Sequence, residues 1–100
     1  SAASDVYKIL VFNQLEEFEK AGNSYEKTIE IHPDNARAHN NLGNVLQETG
    51  KFDEAIRSYK KTISINSKFY VAHYNLGVLY KSLGRFKESK KFRCSNSRFP

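Results

Sequence analysis

The 100-residue chain is 39% hydrophobic and 27% charged, a composition that excludes a disordered segment and fits one small folded domain. Its net charge of +5 is uneven, because residues 1–50 hold 4 basic and 8 acidic side chains whereas residues 51–100 hold 12 basic and 3 acidic. No apolar stretch is long enough to cross a bilayer, and the single cysteine excludes an intrachain disulfide framework, so we expect an intracellular, cytoplasmic protein without a membrane span.

Amphipathic patterns predict six helices joined by short turns. In chain order they lie near Ser4–Leu15, Phe18–Ile31, Ala36–Thr49, Phe52–Ile65, Tyr70–Leu83 and Phe86–Phe92. Pro33 ends the second helix, and the pair Asp34-Asn35 offers a cap for the third. Gly50 and Gly84 separate the later pairs, and we expect Gly50 in a left-handed conformation. Gly22 falls inside the second helix, where we expect a kink or a late start.

The apolar and small residues of these helices recur with a period of 34 residues. The recurring residues are Phe18, Phe52 and Phe86; Ala21 and Ala55; Tyr25 and Tyr59; His39 and His73; Asn41 and Asn75; and Leu42-Gly43 and Leu76-Gly77. A fixed period of this length predicts stacked helical units rather than one globular core. Small residues such as Gly43 and Ala55 let paired helices approach closely, and a bulkier side chain there should cost about 1–3 kcal/mol.

These residues resemble the tetratricopeptide repeat (TPR) family, most closely over residues 36–69. The first repeat matches only in its second half, and the third departs from the pattern at Ser89 and Arg93. The resemblance implies an all-α fold, an α-solenoid of about three TPR helical hairpins (about six antiparallel helices) in a right-handed superhelical stack, with a degenerate or truncated last hairpin. It divides the chain into a TPR domain at 1–93, with repeats near 2–35, 36–69 and 70–93, and a disordered basic tail at 94–100.

The resemblance also implies that the first helix of each hairpin lines a concave groove for an extended peptide. Asn41 and Asn75 recur on that side, and their carboxamides can pair with both the N–H and the C=O of a peptide backbone. This arrangement is similar to the asparagine ladder in the repeats of O-GlcNAc transferase. Solvated asparagines are the alternative interpretation. The other predicted peptide-binding residues are Arg37, Asn40, Asn44, Tyr74, Val78 and Lys81.

Motifs for catalysis are not found in the sequence. It contains no glycine-rich phosphate loop, nucleophile elbow or metal-ligand spacing, so we expect neither an enzyme nor a cofactor or metal. His39 and His73 recur with the period and are expected to pack rather than to bind a metal. The carboxylate clamp that some TPR proteins use for chaperone C-termini is not expected, because apolar Val6 and Val71 occupy two of its sites.

Two kinds of partner remain open. The leading hypothesis is a protein–protein interaction scaffold whose groove binds a peptide of unknown identity. The alternative is a self-associating TPR fragment, a dimer or a hairpin-exchanged oligomer, of a larger protein such as a glycosyltransferase, of which it would form the recognition part. A nucleic-acid partner is not expected, because Phe86 and Phe92 within the basic stretch fall on the apolar stripe of a helix.

Overall fold

The computed structural model describes the backbone of residues 2–96 and the side chains of residues 2–84. The described backbone forms four α-helices and contains no strand. They are α1 (Ala2–Ile31), α2 (Ala36–Glu48), α3 (Phe52–Ile65) and α4 (Tyr70–Asn96). The predicted all-α solenoid is confirmed, but the prediction of about six helices is wrong. The predicted disordered tail falls partly on α4, at residues 94–96, and otherwise on residues 97–100, which lie outside the described residues.

The first two predicted helices are fused into α1, which runs for 30 residues without a turn. Glu16 occupies the position that Gly50 holds in the next repeat, so no residue there favours a left-handed turn. Glu16 also forms an ion pair with Lys20, at 3.7 Å, across the predicted boundary. The late start expected at Gly22 is wrong, because α1 begins at Ala2 and Gly22 is buried inside it, where a Cβ would lie 3.5 Å from Val45. The kink expected there stays a prediction.

The last two predicted helices are likewise fused into α4, and Gly84 lies within this helix. A glycine inside a helix costs about 1 kcal/mol relative to alanine, which weakens a helix without ending it. The predicted turn at Gly84 is therefore wrong. Gly84 permits a turn but does not impose one.

The helices of the central hairpin, α2 and α3, have the predicted ends to within one residue. Helix α1 stops at Ile31, two residues before Pro33. The Asn35 side chain caps α2 by accepting a hydrogen bond from the Ala38 amide at 3.0 Å. Gly50 has φ +84°, the left-handed conformation that lets the chain reverse between α2 and α3.

Consecutive helices pack side by side, with the closest association between α2 and α3. The core of this stack consists of Ala55 and Tyr59 from α3 and Leu79 from α4, each at most 1% exposed. Leu46, Ile56, Leu76 and Leu83 pack around them. The Cα trace measures 57 × 47 × 18 Å, which is a flat shape.

Candidate functional site

A cluster of carboxamides joins α2 to α4. Asn75 Nδ2 donates to Asn40 Oδ1 at 3.3 Å and to Asn44 Oδ1 at 3.2 Å. Asn40 is only 4% exposed, so its polar side chain requires a partner, which Asn75 supplies. These contacts fix the orientation of the Asn75 amide and hold α4 beside α2.

Tyr59 continues this network beneath α2. Its hydroxyl lies 2.6 Å from Asn44 Oδ1 and 2.9 Å from Gln47 Oε1, and its single O–H donates to one of the two oxygens at a time. The ring is fully buried against Gly43 and fills the space that the side chain of any other residue would occupy. The cluster is thus anchored in the core of the hairpin.

The predicted peptide-binding residues differ in exposure. Arg37, Asn44, Tyr74, Val78 and Lys81 are exposed, whereas Asn41 and Asn75 are half-buried. Asn40 is buried between α2 and α4, where it contacts Asn75. The structure therefore brings Asn40, Asn44 and Asn75 together.

Comparison with known proteins supports the repeat interpretation. A TPR repeat model matches residues 10–50, and two tetratricopeptide repeat models match residues 36–69 and 70–92. The chain is built from tetratricopeptide repeats. TPR repeats generally mediate protein–protein interactions. The similarity of Asn41 and Asn75 to the ladder of O-GlcNAc transferase stays a prediction.

A solved structure of MamA is similar to this TPR chain. The two share 27% sequence identity with a TM-score of 0.67, over 86% of this chain and 54% of MamA. The chain thus spans about half the length of MamA. A search of curated proteins finds no match. Within the described residues, no helix combines the length and apolarity that a membrane span requires.

The two recurring histidines have a role in the TPR turns that sequence reasoning missed. His39 Nε2 lies 2.9 Å from the Pro33 carbonyl, and His73 Nε2 lies 2.9 Å from the Ser67 carbonyl. Because a carbonyl oxygen only accepts, each ring donates from Nε2 and ties a helix start to the preceding turn. The signal was present in the sequence, since both the histidines and the turns recur after 34 residues.

We expect the stability of this TPR hairpin to depend on pH because of Tyr59. Burial, with a smaller contribution from the negative charge of Glu48, raises the pKa of Tyr59 from 10.0 to about 12. The folded state therefore favours the protonated phenol, so this stabilisation is complete below pH 10 and is lost as the pH rises towards 12. The loss should reach about 2–3 kcal/mol. Urea unfolding on either side of this range measures it.

The matched variant for this experiment is Tyr59→Phe, which keeps the ring and removes the titrating hydroxyl. Its free energy of unfolding should fall less steeply over the same pH range, because the variant lacks the buried hydroxyl whose pKa is raised. An identical pH dependence in the variant and the wild type would contradict the assignment to Tyr59.

Proposed function

We propose that this chain binds an extended peptide along the face formed by Asn41 of α2 and Asn75 of α4, which we call the groove face. The observation that carries the proposal is the fixed carboxamide of Asn75. Its Nδ2 group is committed to Asn40 and Asn44, which leaves Oδ1 as an oriented acceptor for a peptide N–H.

Asn41 complements Asn75 chemically. Its side chain is half-buried and makes no hydrogen bond with another described residue, so both its donor and its acceptor remain available. A half-buried carboxamide has lost some of its hydrogen bonds to water, so a peptide that supplies new hydrogen bonds would stabilise it. Asn41 is therefore suited to pair with one N–H and one C=O of the same peptide.

The hydrogen bonds from Asn75 to Asn40 and Asn44 place α4 beside α2, so the usual separation of neighbouring helices gives the expected register of a peptide. Packed helices lie about 8–10 Å apart, and an extended chain advances about 3.3 Å per residue. Asn41 and Asn75 would thus contact peptide residues about three positions apart. Contacts to the backbone hold a peptide in register without selecting its side chains.

Selectivity would come from the exposed residues around the two asparagines. Arg37 and Lys81 are exposed, and neither forms an ion pair with another described residue. Tyr74 and Val78 add apolar surface, at 72% and 40% exposure. The preferred peptide therefore combines acidic with apolar side chains, since it would pair with the two cations and cover the two apolar groups.

A screen of random 12-residue peptides against the wild-type chain, followed by calorimetry of the best binder, tests the proposal. Asn41→Ala should weaken binding about tenfold through the loss of one or two hydrogen bonds. Asn23→Ala is the matched control, because Asn23 is an exposed asparagine that belongs to α1 rather than to α2 or α4. A library that yields no binder, or equal affinity for Asn41→Ala and wild type, would overturn the proposal.

The same surface would serve the alternative in which the chain is the recognition part of a larger protein, such as a glycosyltransferase. That alternative stays a prediction. It requires the same peptide contacts, with chemistry carried by another part of the molecule.

A further inference from the structure

The described residues contain one complete hairpin, formed by α2 and α3. Helices α1 and α4 each supply one helix of a further hairpin that is incomplete. In the complete hairpin, Tyr59 of α3 lies on Gly43 of α2, and both are buried. Tyr25, the equivalent of Tyr59, lies on α1 and is only half-buried. Gly77, the equivalent of Gly43, lies on α4 and is exposed. Each terminal helix thus carries one member of this contact without the other.

We propose that the chain assembles head to tail with copies of itself, the second half of α1 of one copy docking on the first half of α4 of the next. Tyr25 of one copy would then cover Gly77 of its neighbour as Tyr59 covers Gly43. The assembly would complete one hairpin at each junction. Its central contact, Tyr25 on Gly77, involves neither Asn41 nor Asn75 of the groove face, although Lys81 borders both surfaces.

The space at Gly77 supports this docking. A Cβ built on Gly43 would lie 2.6 Å from Cε1 of Tyr59, whereas a Cβ on Gly77 meets nothing within 4 Å. The position that a tyrosine ring fills in the central hairpin is therefore open on α4. Glycine is the residue that allows such an approach, because any side chain would occupy the space of the ring.

Tyr25 supplies the matching side chain. Its hydroxyl makes no hydrogen bond with another described residue, whereas that of Tyr59 meets Asn44 and Gln47. In the docked arrangement Lys81, which is the equivalent of Gln47, would stand opposite the Tyr25 hydroxyl. An ammonium group donates, and a phenol oxygen accepts.

A symmetric dimer in which α1 of one copy packs on α1 of the other is less favourable than the head-to-tail arrangement. Ile9 occupies the position on α1 that Gly43 holds on α2. In the geometry of the central hairpin its side chain would fill the space that the Tyr25 ring needs. The same clash opposes closure of α1 onto its own second half. Gly77 of another copy avoids the clash.

Charge and apolar surface favour the same arrangement. The half of the chain with α1 is net acidic, and the half with α4 is net basic, so unlike ends attract. Tyr7, Val11 and Leu15 are exposed on α1, at a spacing that continues the stripe of Phe18 and Tyr25 towards the N-terminus. These side chains would extend the contact beyond the Tyr25–Gly77 pair.

A head-to-tail contact is heterologous, so it builds open chains rather than closed dimers unless its rotation closes a ring. Sedimentation of the wild-type protein should therefore give a mass that grows beyond a dimer with increasing concentration, and added salt should reduce it. Gly77→Leu should weaken the association about tenfold or more, because the leucine fills the place of the ring. Ser82→Leu is the control, since it adds the same side chain to another face of α4.

Mixing two variants gives the decisive result. Gly77→Leu keeps its Tyr25, and Tyr25→Glu keeps its Gly77, so neither should self-associate, whereas the equimolar mixture should form a one-to-one heterodimer. Circular dichroism establishes that both variants fold. A monomeric wild type at high concentration, Gly77→Leu chains as long as those of the wild type, or a mixture that stays monomeric would each overturn the proposal.

Discussion

Replacing Gly43 by leucine should lower the free energy of unfolding by about 3 kcal/mol. Even the first carbon of the new side chain would lie 2.6 Å from Cε1 and 2.8 Å from Cδ1 of Tyr59. Tyr59 has little freedom to move, because its ring is fully buried and its hydroxyl contacts Asn44 and Gln47. Separating α2 from α3 is then the remaining response. Urea unfolding followed by circular dichroism measures the change.

Gly77→Leu is the matched control, because it makes the same change 34 residues later, at the equivalent position of α4. Nothing lies within 4 Å of a Cβ there, so no clash opposes the side chain. Leucine also has a higher helix propensity than glycine, by up to about 1 kcal/mol. At low protein concentration this variant should be as stable as the wild type or more so. Equal losses at the two glycines would contradict the close contact between Gly43 and Tyr59.

The central hairpin was predictable because its ends depend on local chemistry. Pro33 cannot continue a helix, Asn35 caps the next one, and Gly50 adopts a positive φ at no steric cost. Each signal acts within a few residues of the chain. The family resemblance placed the same features in one repeat, and the structure confirms them together.

The fused terminal helices were not predictable from turn residues alone. A hairpin turn is stable when the helix that follows it finds a packing partner, as Tyr59 finds Gly43. Gly77 has no tyrosine in its own repeat, because Arg93 stands in that place in the sequence. In the first repeat Ile9 stands where a glycine would accept Tyr25. The continuous helices thus follow from the departures at Ile9 and Arg93 from the repeat pattern.

The candidate site was predictable as a set of positions but not as a network. The period put Asn41 and Asn75 at equivalent places, yet it contained no information on the distance between α2 and α4. Because α4 lies close to α2, Asn75 can donate hydrogen bonds to Asn40 and Asn44. These bonds occupy its Nδ2 group, one of the two polar groups of the side chain. Burial of Asn40 likewise depends on how α4 lies across α2.

Leu79→Ala should lower the free energy of unfolding by about 2–5 kcal/mol. Leu79 is 1% exposed and belongs to the same core cluster as Ala55 and Tyr59 of α3. Truncation removes apolar contacts and leaves a cavity that the rigid neighbours fill only in part. A loss of this size is a large fraction of the total stability of a small domain, about 5–15 kcal/mol.

The effect of Leu79→Ala should extend to both proposed binding surfaces, because α4 carries Asn75 on one of them and Gly77 on the other. Hydrogen exchange should rise along α4 before it rises in α2, since the cavity lies between α3 and α4. Val78→Ala is the control: Val78 is adjacent on the same helix but 40% exposed, so its truncation should cost less than about 1 kcal/mol. If both variants lost the same stability, Leu79 would not be the residue that anchors α4 to the core.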